Sequence, residues 1–65
     1  MLKKVKVKNT TPNYKLYNYT VIRYNGEGFY WYYGAGDDLL ICSKMATELR
    51  NGRVVESERV EPIPM

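Results

Sequence analysis

The chain has no histidine and a single cysteine, Cys42, in 65 residues. Those two shortages exclude a good deal of chemistry. A structural zinc site takes about four Cys or His ligands. A disulfide needs a second cysteine, and a thiol nucleophile of the usual kind needs a base beside it. Cys42 also falls on an apolar stripe, where a thiol is a small inert hydrophobe. Catalytic, cofactor-binding and metal-binding residues are therefore expected to be none, and the chain reads as a non-enzyme. A lone cysteine suits a reducing compartment. Long apolar runs are absent as well: nothing approaches the roughly 18 residues that span a bilayer. The lysines of "MLKKVKVKN" have no apolar segment behind them, so no secretory signal is expected. The expectation is a cytoplasmic protein with no membrane partner.

Acid is missing from the first part of the chain. Residues 1–26 carry Lys3, Lys4, Lys6, Lys8, Lys15 and Arg23 without one Asp or Glu, whereas residues 27–65 carry seven acids against Lys44, Arg50, Arg53 and Arg59. The overall charge of +3 hides this division. A basic segment suits a polyanion. Lysines on an edge strand that discourage unwanted pairing give the same pattern.

What the chain does have is aromatic residues: seven tyrosines, one tryptophan and one phenylalanine. Five of these stand together in "FYWYY", residues 29–33. Around them the patterning is that of strands. "KKVKVKN" alternates with a period of two and predicts a half-buried edge strand. "NTTPN" is turn chemistry. "YKLYNYTVIRY", residues 14–24, is rich in β-branched and aromatic side chains and predicts one long strand. "NGEG" follows as a hairpin signal, and "FYWYY" returns.

After Asp37 and Asp38 the period changes. Leu39, Cys42, Met45, Ala46 and Leu49 form one helical stripe, with the aspartates as N-terminal cap and Gly52 as terminator. "LLIC" alone also suits a strand. "RVVES" predicts a last short strand, and residues 58–65, with two prolines, predict an irregular tail. The expected fold is one α+β domain over residues 1–65. It would be a small antiparallel sheet of three to four strands, order β-β-β-α-β, with one helix packed on one face.

"YTVIRYNGEGFYWYYGAGDD" followed by "CSKMATELRNGRVVE" resembles a type of small, uncharacterised protein encoded by phages and prophages of Gram-positive bacteria. The resemblance covers about two-thirds of the chain as a pattern. It implies a host-cell cytoplasmic setting and brings no activity with it.

An even-length hairpin loop would put Ile22, Phe29 and Trp31 on one face, under the helix. The other face would then expose Tyr17, Tyr19, Arg23, Tyr30 and Tyr32. Tyrosines on an open face suit a protein partner, from host or phage, or a second copy of the chain in a homodimer. The alternative is nucleic acid, with Lys4, Lys6, Lys8 and Arg23 on phosphates and aromatic rings on bases. An odd-length loop would exchange the two faces.

Overall fold

A computed structural model describes residues 3–63. The described residues form five strands, one α-helix and two 3-10 turns. They are β1 (Val5–Lys8), η1 (Pro12–Leu16), β2 (Tyr19–Tyr24), β3 (Tyr30–Gly36), α1 (Leu39–Glu48), β4 (Gly52–Glu56), η2 (Ser57–Arg59) and β5 (Val60–Pro62). The class is α+β, with one helix as expected. The sheet is larger than expected and mixed, in the order β4-β2-β3-β1-β5. β2 pairs antiparallel with β3 and β4, while β1 runs parallel to both β3 and β5.

Two expectations at the ends of the chain are corrected. β1 is an interior strand, because residues 60–62 form β5 and cover its outer side through Val5–Val60 and Lys6–Glu61 pairs. The supposed tail is thus partly strand, and its last two residues lie outside those described. A proline is tolerated in β5 because the strand is at the edge.

The long strand expected over residues 14–24 starts only at Tyr19. Pro12 occupies the first turn of η1 instead, where its missing N–H costs nothing. That turn drops Tyr14 onto the core, 3% exposed. Residues 39–42 are helix. Asp38 caps it, one carboxylate oxygen accepting the N–H groups of Leu40 and Ile41 at 2.9 and 3.2 Å. Leu39 heads the predicted stripe but is half exposed, while Cys42, Met45, Ala46 and Leu49 face the sheet.

The two sheet edges, β4 and β5, are separated in sequence only by the three residues of η2. The sheet must therefore curl, and Val55 from one edge and Val60 from the other enter the same buried cluster with Val5, Val7, Tyr14 and Ile22. Thr20 and Ser57, both buried, share a 2.8 Å hydroxyl hydrogen bond there. Among the described residues no buried side-chain polar atom lacks a partner. The helix lies on the opposite, outer face, over Val21, Val54 and Tyr19.

The hairpin decides which aromatic rings are buried. Tyr24 pairs with Tyr30, which leaves five residues, Asn25 to Phe29, in the loop, with Gly26 and Gly28 at positive φ. The odd count reverses the expected parity. Tyr30 and Tyr32 share the inner face with Ile22 and pack on the core, while Trp31 turns outward. A register shift at Val21/Ile22 then leaves Tyr33 without an opposite number. Beyond it, Gly34 and Gly36 come under the helix, where added Cβ atoms would lie 3.2 Å from Met45 Cε and Cys42 Sγ.

Candidate functional site

The helix covers only part of the outer face, over β4, β2 and the glycine-bearing end of β3. The rest, built from β1, β5 and the start of β3, is open. Across that open half runs one transverse row set by strand register: Arg23 on β2 opposite Trp31 on β3, and Trp31 beside Lys8 on β1. Residues in such a row project from the same face, with neighbouring strands about 4.8 Å apart. Trp31 is 38% exposed. It was expected in the core, and the odd hairpin loop is what moves it out.

The row is held in place by contacts of its own. Phe29 meets Trp31 edge to face at 5.5 Å between centroids. Lys8 Nζ stands 4.6 Å from the Phe29 ring centre and 6.0 Å from that of Trp31. A cation at that range is attracted to the ring face. Arg23 Nε donates to the Arg50 carbonyl at 3.2 Å, which holds the guanidinium beside the end of α1. An exposed indole thus lies between two cations on adjacent strands.

The structure redistributes the other candidate residues. Lys6 projects from the same face one step along β1, but its neighbour on β5 is Glu61. Lys4 is drawn away from the row and donates to the Glu58 carbonyl at 3.0 Å. Tyr30 and Tyr32 are half-buried on the inner face. The Tyr30 hydroxyl accepts from Arg53 at 3.1 Å, and the Tyr32 hydroxyl accepts from Thr11 at 3.4 Å. Tyr19 packs beside the helix, and Tyr17 is exposed between η1 and β2. The five residues Tyr17, Tyr19, Arg23, Tyr30 and Tyr32 do not make one surface. Trp31 was missed as a surface residue, and the signal that marks it is the number of residues between Tyr24 and Tyr30.

Cys42 is buried. Burial, followed by the nearby charges of Asp38 and Asp37, pushes its thiol pKa up, so it stays protonated. No group of three or more metal-ligating side chains comes together among the described residues. None of their helices is long and apolar enough to cross a membrane. No family model, curated protein or solved structure matches the chain, so any reading of function rests on its own residues.

Proposed function

We propose that the chain is a non-enzymatic binding module that takes single-stranded nucleic acid on the open half of its outer sheet face. The observation that carries the reading is the Lys8–Trp31–Arg23 row. A base stacks on the exposed indole, and the phosphates on either side of it meet the two cations. A duplex hides its bases in the stack, whereas a single strand offers them, so the indole selects the single strand. Readout of sequence is not part of this arrangement, because stacking accepts every base. The motif resemblance supplies the proposed setting, a phage or prophage product in the cytoplasm of a Gram-positive host.

Trp31 is the one tryptophan, so its fluorescence reports the site directly. Titration with single-stranded homopolymers should quench it. With two phosphates engaged, log K should fall against log salt with a slope of about −1.4. Trp31→Ala should weaken binding by about 1–3 kcal/mol, and Lys8→Glu should flatten the salt slope. Unchanged fluorescence with every homopolymer at low salt would exclude the proposal.

A protein partner is the second reading, and one specific feature favours it. The first turn of α1 exposes Leu39, Leu40 and Ile41 together at 49, 79 and 58%. Large apolar side chains grouped on a surface suit a protein contact. Capture of such a partner would survive nuclease and high salt, and Trp31→Ala would leave it intact.

A further inference from the structure

The two edges of the sheet are protected very differently. β5 has three residues and contains Pro62, two of the devices that keep an edge from recruiting another strand. β4 has five residues without proline, and the sheet's register shift lies between β2 and β3, not on β4.

The hydrogen-bond phase of β4 follows from both of its ends. The Tyr24 N–H donates to the Asn51 carbonyl, and the Ser57 N–H to the Asn18 carbonyl. Bonded pairs alternate along an antiparallel ladder. Arg53 and Val55 therefore bond inward to Ile22 and Thr20, and Gly52, Val54 and Glu56 turn their N–H and C=O groups outward. The Val54 and Glu56 N–H groups therefore point away from β2, the one strand that pairs with β4 among the described residues.

We propose that this outer edge of β4 is a strand-addition site, and that its occupant is β4 of a second copy of the chain, running antiparallel across a two-fold axis at Val54. The reading does not depend on the nucleic-acid site, whose row runs from Arg23 on β2 away from this edge toward β1. Symmetry makes the edge self-complementary. With the axis at Val54, the outward groups of Gly52 meet those of the other copy's Glu56, and Val54 meets its own equivalent. All three outward positions are then paired.

Charge agrees with this register. Arg53 faces Val55, so no like charges are opposed. Centring the axis on Arg53 instead would oppose two arginines.

Apolar cover is available at the same edge. The Asp37 carboxylate accepts the Asn18 N–H at 2.8 Å, and the Asn18 carbonyl accepts from Ser57. The start of α1 is thereby held at the Glu56 end of β4. Leu39 lies two helical turns before Ala46, on the side of α1 that packs on β4. Exposed Leu39 thus stands on the side of α1 nearest the edge that the second copy would join.

Glu56→Pro tests the proposal with little cost to the monomer. Glu56 has φ −64°, the value proline imposes, its side chain is exposed, and its N–H points outward. The preceding residue, Val55, is extended, as proline requires. Sedimentation across a concentration series should show a wild-type dimer, with the Glu56→Pro dissociation constant about tenfold to a hundredfold weaker. Hydrogen exchange of the wild type is a second measurement that needs no variant. The Val54 and Glu56 amides should exchange fast in dilute protein and become protected as concentration rises. A wild type that stays monomeric throughout, a dimer indifferent to Glu56→Pro, or amides whose exchange ignores concentration would each overturn the proposal.

Discussion

Gly52→Ala is the substitution that most directly tests how the helix is seated. Gly52 opens β4 directly beneath the last turn of α1. A Cβ there would overlap the Ala46 carbonyl oxygen and come within 2.9 Å of the Ala46 carbonyl carbon and the Leu49 Cβ. Two of those atoms are backbone, and the third is rigidly attached to it. No rotamer change relieves the clash, so the helix must lift from the sheet. What it would leave is the cluster of Val21, Cys42 and Ala46 with Met45, Leu49 and Val54. Overpacking of this kind costs about 1–3 kcal/mol, and backbone overlap puts the expectation at the upper end, about 3 kcal/mol.

A domain of 65 residues has roughly 3–10 kcal/mol in all. At about 4–8 °C per kcal/mol for this size, the melting temperature should fall by about 12–24 °C. The internal control is Gly34→Ala, where the added Cβ meets only the movable terminal methyl of Met45 at 3.2 Å. That change should cost under about 1 kcal/mol. Thermal unfolding followed by far-ultraviolet circular dichroism measures both. A Gly52→Ala protein melting within a few degrees of wild type would refute the close approach of α1 to β4.

Asp38→Ala removes the acceptor for two helix-start amides and should cost about 1 kcal/mol, readable as a lower urea midpoint with unchanged slope. Raising the pH should also weaken the fold. The folded protein holds the Cys42 proton more tightly than the unfolded chain, so unfolding releases it once pH passes the ordinary thiol value near 9. Stability owed to this group is complete below that pH and is lost as pH climbs toward the raised value. A series of urea midpoints from neutral to alkaline pH should therefore slope more steeply for wild type than for Cys42→Ala, and parallel slopes would contradict it.

The sequence by itself determined the strand and helix segments that carry their own local signal. β1 shows in the alternation of Val5 and Val7 with lysines, and α1 in Asp38 and the Cys42–Met45–Ala46–Leu49 stripe. β4 shows in its paired valines. Each is legible because period, cap and propensity are properties of neighbouring residues.

Other features were decided only by contacts distant in sequence. Val60 pairs with Val5, which turns a proline-bearing tail into β5 and an apparent edge strand into an interior one. Tyr14 leaves the strand it seems to begin because the curled sheet offers it a place in its core. Gly52 reads as a helix terminator, yet Asn51 takes the positive φ of 63°, and glycine is required at 52 because the helix returns over it.

The candidate site was half legible. Lys8 and Arg23 stand out as cations, but their union with Trp31 depends on strand register. Register inverts with a single residue in a loop. The stretch "NGEG" signals a hairpin without stating whether Phe29 belongs to the strand or to the turn. Tertiary packing settles that question. Tyr30 and Tyr32 have both the rings to fill the space beside Ile22 and hydroxyls that reach Arg53 and Thr11, and with those two inside, the pleat puts Trp31 outside.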